Sequence, residues 1–149
     1  GAPGRAEDGR MTEIHTAEGT EEEARDRILA LLDSHAHAKG KSFESEKKVY
    51  EAHEDGQYLG GLSAKFALDL KWVFVELLAV TEAGRGKGVG RQLMARVEDE
   101  ARDRGMQGIW LDTFSFQAPD FYKSLGFSEF GRIDGYPDDG ARHFLMKRL

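Results

Sequence analysis

The 149-residue sequence predicts a mixed α/β fold built on one central sheet, and three observations carry that prediction. Runs of strand character, Trp72–Val80 and residues 109–114, flank a stretch whose apolar residues recur at helical spacing. Asp55-Gly56 stands between two further strand-like runs, the strongest short-range hairpin signal. A loop with glycine at every second position joins the first long apolar run to the helix.

Taken in chain order, residues 12–17 alternate around Ile14 and read as a first short strand. Thr20 followed by Glu23 is a capping box for a helix through about Ser34, with Ile28, Leu31 and Leu32 as its apolar side. Gly40, with two lysines and two histidines nearby, makes residues 35–45 a loop or broken helix. Residues 47–53 and 58–68 form the hairpin around Asp55-Gly56. Trp72–Val80 is apolar almost throughout, which predicts a strand buried on both faces. In the helix that follows, Val89, Leu93, Val97 and Ala101 step by four along one face. Glu98 with Arg102 and Glu100 with Arg104 are spaced to pair along it, and Gly105 stops it. A strand at 109–114, a short helix at 118–125 closed by Gly126, and strands at 127–133 and 143–146 complete the order, with a turn-rich loop at 135–140.

Length and composition bound the rest. A chain of this size makes one domain, and roughly 70% of its unfolded surface can be buried. Residues 1–10 lack periodicity and read as a disordered tail or a cloning remnant, leaving 11–149 as a single domain. With no cysteine, disulfides, thiolate metal sites and a cysteine acyl-enzyme are excluded. His35 and His37, two apart, do not share a helix face, so no metal is expected. The net charge of −6, dense in Glu13, Glu18, Glu21, Glu22, Glu23 and Asp26, argues against a nucleic-acid partner and favours a cationic one. No run is long enough to span a bilayer and no secretory segment is apparent, so a cytoplasmic location is expected.

The loop from residue 83 to residue 91 carries Gly84, Gly86, Gly88 and Gly90. A strand, a glycine-rich turn and a helix N-terminus together make an anion site, because unpaired N–H groups and the helix dipole converge there. Glycine allows the backbone to approach phosphate oxygens closely, and Arg85, Lys87 and Arg91 add charge. The nucleotide motifs do not fit. Gly86-Lys87 is followed by Gly88 where a P-loop needs Ser or Thr, and the dinucleotide pattern meets Val89, Arg91 or Leu93 where it needs glycine.

Arg85-x-x-Gly88-x-Gly90 resembles the (Q/R)-x-x-G-x-(G/A) pyrophosphate motif of the GNAT N-acetyltransferases. The likeness continues in Glu76-Leu77-Leu78-Ala79-Val80, similar to that family's central strand, and in Leu111-Asp112-Thr113-Phe114, similar to its next strand. Phe121-Tyr122-Lys123-Ser124-Leu125-Gly126-Phe127 resembles its F-Y-x-x-x-G-F segment. Order and spacing agree from Trp72 to Leu149, about half the chain. The resemblance implies a mostly antiparallel sheet with helices on both faces and a V-shaped cleft for acetyl-CoA.

It also implies roles. The backbone of Leu78, Ala79 and Val80 would bind the pantetheine arm like an added strand. The segment Arg85, Gly86, Lys87, Gly88, Val89, Gly90 and Arg91 would hold the pyrophosphate. Tyr122 falls where many family members keep a tyrosine near the coenzyme sulfur, and a phenol suits proton donation to a leaving thiolate. Glu76 is the one ionisable residue in its strand; burial would raise its pKa toward that of a general base. The family often carries Asn where this chain has Ser115, so Ser115 or Gln117 would take over a pantetheine contact, and Asp112 and Ser115 are candidates for binding the acceptor.

The expected activity is direct acetyl transfer from acetyl-CoA to a primary amine, most simply of a small molecule, in a ternary complex. A non-catalytic acyl-CoA-binding module, a protein acetyltransferase acting on N-termini or lysines, and an aminoacyl-tRNA acceptor stay open as alternatives, the last disfavoured by the acidic balance. Oligomeric state is open, with a homodimer the commonest arrangement. The acidic turn Tyr136-Pro137-Asp138-Asp139, between the last two strands, could close over the acceptor, and a solvated turn is the preferred reading.

Overall fold

The computed structural model describes residues 11–149 and the backbone of Gly4–Arg5. The tail expected over residues 1–10 otherwise lies outside the described residues. Two compact units are present, Gly1–Lys41 and Ser42–Leu149.

In the first unit, β1 (Gly4–Arg5) pairs antiparallel with β2 (Met11–Thr12). The strand expected over 12–17 is thus confined to this two-residue bridge; Ile14, its only large apolar residue, is 63% exposed, and one side chain does not make a buried face. Helix α1 (Glu21–Ala38) begins where the sequence places it. The Thr20 hydroxyl accepts from the Glu23 N–H at 3.2 Å, and three glutamates occupy the first turn at the positive end of the dipole. The helix runs to Ala38 and not to Ser34, taking in residues expected to be loop. Ala36 and Ala38 are strong helix formers, and His35 and His37 suit the negative end of the dipole, so the break waits for Gly40 at φ +69°.

The second unit holds β3 (Ser45–Glu54), β4 (Gln57–Ala67), β5 (Trp72–Val80), α2 (Val89–Asp103), β6 (Gly108–Phe114), α3 (Pro119–Ser124), β7 (Ser128–Asp134) and β8 (Ala141–Arg148). The strands form one sheet in the order β3-β4-β5-β6-β8-β7. Only β5 and β6 run parallel, and α2 provides the crossover that a parallel pair requires. The β3–β4 hairpin turns at Asp55 and Gly56, both at positive φ as a primed turn demands.

The core lies between the sheet and α2. Val89, Leu93, Val97 and Ala101 are all buried, against Leu62, Ala64 and Phe66 of β4, Val73 and Val75 of β5, and Ile109 and Leu111 of β6. Each fully buried Val, Leu, Ile or Phe side chain contributes on the order of 1.5–3 kcal/mol, and the alanines less. The opposite face of β5 is only partly covered, and Leu77 is 70% exposed, so this strand is not sealed on both sides. The apolar run reflects a strand that enters the core at Val73 and Val75 and then lines an opening. Of the two ion pairs expected along α2, Glu98–Arg102 forms at 3.3 Å and Glu100–Arg104 does not. Both residues find partners on β3 instead: Glu100 meets Lys48 at 2.6 Å and Arg104 meets Glu46 at 2.6 Å.

Candidate active site

Parallel pairing between β5 and β6 covers only Trp72, Val73 and Phe74, opposite Gly108, Ile109 and Trp110. Beyond Phe74 the two strands part. The backbone of Val75–Val80 therefore has a partner on the β4 side only, and a cleft of about 600 Å³ opens along it. A second irregularity shapes the same wall. Ser63 pairs with Leu77 and Ala64 with Val75, so Glu76 is the extra residue of a β-bulge. Bulges bend a strand and redirect its side chains, as at many active sites.

The glycine loop closes one end. Thr81 caps a short 3-10 turn (Glu82–Gly84), its hydroxyl accepting from the Gly84 N–H at 3.1 Å. Gly84 is packed so closely that an added Cβ would lie 2.7 Å from the Leu59 carbonyl oxygen. Gly86 and Gly88 both take φ +75°, with open space where a side chain would stand. Gly88 caps α2 without any side-chain bond, so the first N–H groups of α2 have no partner within the helix. Those groups and the positive end of the helix dipole make the hollow favourable to an anion, and Arg85 and Arg91 line the same cleft, with Nη2 of Arg91 3.5 Å from the Ser124 hydroxyl.

The cleft is lined by Glu76, Leu78, Ala79, Val80, Arg85, Gly86, Gly88, Val89, Gly90, Arg91, Asp112, Gln117 and Tyr122, thirteen of the fifteen residues given a role from sequence. Two lie elsewhere. Lys87 turns out to Glu54 at 3.2 Å. Ser115 faces β8, where its hydroxyl is 2.8 Å from Nε2 of His143 and accepts from the Ala141 N–H at 3.1 Å. Nδ1 of His143 in turn meets the Glu129 carboxylate. Gln117 accepts through Oε1 from the Phe114 N–H at 3.0 Å and from the Thr113 hydroxyl at 3.3 Å, which fixes the loop between β6 and α3.

Tyr122 reaches the cleft from α3, with its ring edge-on to Phe121 and Phe127 at 5.1 and 6.1 Å. Burial pushes the phenol pKa above its ordinary value, and the negative charge of Asp112 adds to the shift. A phenol keeps its proton at neutral pH in any setting, and this one gives it up less readily than a free one. Glu76 stands on the wall with its side chain 30% exposed and 3.6 Å from the Lys65 ammonium, not enclosed in a sealed core. Asp112, considered above for acceptor binding, is bridged by Arg142 at 2.8 Å.

Sequence reasoning did not assign Thr113, Ala118 and Phe121 to the lining. Thr113 shares the buried face of β6 with Leu111, and Ala118 and Phe121 precede Tyr122 around the start of α3. The signal was the C-terminal end of a parallel strand, where such sheets bind ligands.

A family model described as "Acetyltransferase (GNAT) family" matches residues 10–127. The chain belongs to that family. This acetyltransferase is 38% identical over 102 residues to the blasticidin-S acetyltransferase of Streptomyces morookaense, 68% of this chain and 74% of that protein. A crystal structure of an acetyltransferase from Bacillus cereus superposes with a TM-score of 0.78 at 31% identity, covering 91% of this chain and 98% of that one. An aminoglycoside 6'-N-acetyltransferase complexed with coenzyme A shares the fold, with a TM-score of 0.61 at 18% identity over 69% of this chain and 73% of that one. Acetyl-CoA is the co-substrate of the family, and the hollow at Gly86 and Gly88, which side chains would fill, fits a pyrophosphate. Among the described residues no helix is long and apolar enough to cross a membrane, and no cluster of potential metal ligands occurs.

Proposed function

We propose that this enzyme acetylates the primary amine of a small molecule by direct transfer within a ternary complex, with residues 11–149 acting as one domain in the cytoplasm. The observation that carries the reading is the placement of a buried phenol, Tyr122, in the same cleft as the Glu76 carboxylate and the hollow of the glycine loop. Acetyl-CoA supplies an activated thioester. Arg85, Arg91 and the N-terminus of α2 bind its pyrophosphate, while the unpaired side of β5 at Leu78, Ala79 and Val80 hydrogen-bonds the pantetheine arm. Gln117 supports that arm, and Val80 contributes a backbone N–H toward the thioester oxygen. Glu76 accepts the amine proton, directly or through water, and the nitrogen attacks the carbonyl carbon. Tyr122 gives its proton to the sulfur as the carbon–sulfur bond breaks. A relative named for blasticidin S supports a small-molecule acceptor.

Thiol release from acetyl-CoA, followed with Ellman's reagent over a panel of amines and short peptides, tests this, and a chain without cysteine adds no background. Amine-dependent release that falls sharply in Tyr122→Phe supports the reading. Release with peptides alone would move the acceptor to proteins. Stabilisation by acetyl-CoA without release from any amine would favour a binding module, and a trapped acetyl-enzyme would overturn direct transfer.

A further inference from the structure

The glycine loop and α2 occupy one side of the sheet, and another chemistry is gathered on the opposite side. Ile109 and Leu111 of β6 pack in the core with α2, so Asp112 and Phe114, out of step with them, face away. Cross-strand register puts Arg142 beside Phe114 and Phe144 beside Asp112 on that same face. Phe114 lines the cleft, and its ring stacks on Phe116 at 5.3 Å with the planes 11° apart. Tyr136 leans on Phe114 from the loop between β7 and β8, also at 5.3 Å. Phe116 remains 71% exposed and Tyr136 43% exposed, so the outer ring face of Phe116 is open.

The charges beneath these rings are already engaged. The Arg142 guanidinium carbon lies 5.6, 5.4 and 5.4 Å from the ring centroids of Phe114, Tyr136 and Phe144. Its Nη2 is 2.8 Å from Asp112, and its Nη1 reaches the Tyr136 hydroxyl at 3.4 Å. A guanidinium spent this way stiffens the platform and has little left for an acceptor's carboxylate. What the surface offers is a flat, polarised aromatic face continuous with the cleft that holds Glu76 and Tyr122. Exposed aromatic rings of this kind select ligands by stacking.

We infer that Phe116, Phe114 and Tyr136 form an acceptor subsite for amines tethered to a planar aromatic or heteroaromatic ring, the ring stacking on Phe116 while the amine reaches into the cleft. The inference rests on the acetyltransferase reading above and deepens it.

The test compares 2-phenylethylamine and tryptamine with butylamine and 1,4-diaminobutane as acceptors for thiol release from acetyl-CoA, in the full chain and in Phe116→Ala and Phe116→Trp. The aryl amines should exceed the alkyl amines in kcat/KM by about fivefold to tenfold, the yield of one stacking contact. Phe116→Ala should collapse that ratio toward one through KM, Phe116→Trp should restore it, and KM for acetyl-CoA should stay put. Equal use of aryl and alkyl amines, or a Phe116→Ala effect shared by all acceptors, overturns the subsite and leaves the transferase standing. So does a protein stabilised by acetyl-CoA that acetylates neither class. If there is neither release nor stabilisation, the transferase reading itself fails. The platform is then judged by saturation-transfer NMR with 2-phenylethylamine, and it stands only if ring contact is present and is lost in Phe116→Ala.

Discussion

The Lys65 ammonium lies 3.6 Å from the Glu76 carboxylate, across a β-bulge that makes Glu76 the unpaired extra residue of β5. Without the bulge, Glu76 would take its turn in the regular alternation of the strand. With it, the carboxylate lines the cleft and is held there by a cation from β4. Glu76→Gln keeps the shape and removes the proton acceptor. It should lower kcat by about 10²–10⁴-fold, the usual worth of a positioned base, with little change in KM for acetyl-CoA. Steady-state kinetics at saturating acetyl-CoA decides this, and an unchanged kcat would pass the role to water or another group.

Tyr122 makes two predictions through one atom. As the acid for the leaving sulfur, its replacement in Tyr122→Phe should lower kcat when chemistry limits turnover and leave acetyl-CoA binding nearly intact. The raised phenol pKa also has a thermodynamic consequence. The folded state holds this proton more tightly than the unfolded chain, so the stabilisation is complete below the unfolded value of about 10 and is lost as pH rises through the higher folded value. Melting temperatures followed from about pH 8 to about pH 11 should fall less steeply in Tyr122→Phe than in the parent. Parallel curves would mean that the phenol is not desolvated in solution.

Much of this was readable from residue order. The Asp55-Gly56 turn, the four-residue step of Val89, Leu93, Val97 and Ala101, and the glycine loop are local signals, each fixed by backbone geometry within a few residues. What failed was non-local. Helix spacing alone paired Glu100 with Arg104, but β3 presents Lys48 and Glu46 to them. A continuous apolar run suggested that β5 was sealed on both faces, because hydropathy does not distinguish a core strand from the wall of an apolar cleft. Motif position also says nothing of the side-chain partners of Lys87 and Ser115, because Glu54 and His143 lie on strands distant in sequence. The bulge at Glu76 depends on the register with Ser63 and Ala64 and has no signature within β5 itself.

Two glycines of the loop should behave differently when changed to alanine. At Gly84 the added Cβ would lie 2.7 Å from the Leu59 carbonyl oxygen and 2.9 Å from the Val80 side chain, so the backbone must shift. Overpacking of this sort costs about 1–3 kcal/mol and should appear as a lower melting temperature. At Gly88 there is open space, and the penalty is the positive φ, on the order of 1 kcal/mol. The new methyl group enters the hollow assigned to the pyrophosphate. Gly88→Ala should therefore raise KM for acetyl-CoA out of proportion to its stability loss, and Gly84→Ala should do the reverse. Thermal melts and acetyl-CoA titrations on both variants separate the two effects.

His143 joins three segments at one imidazole: Nε2 meets Ser115 at the end of β6, Nδ1 meets Glu129 on β7, and the residue itself is buried in β8. Ser115 begins the loop that carries Gln117 and Ala118 into the cleft wall. His143→Ala would leave the buried side of this network unpaired, costing about 1–3 kcal/mol, and would free that loop. The expected result is a lower melting temperature with a raised KM for acetyl-CoA and a kcat that survives at saturation. Acid should weaken the same tie. The hydrogen bond from His143 holds the Glu129 carboxyl below its ordinary pKa of 4.5. A lowered folded value means that the stabilisation is present above the unfolded pKa and disappears as pH falls through the folded one. Stability measured from about pH 7 to about pH 3 should decline less steeply in Glu129→Gln than in the parent. Were the two slopes equal, the imidazole would not be holding the carboxylate in solution, and the coupling between β7 and the cleft loop would have to run through backbone pairing alone.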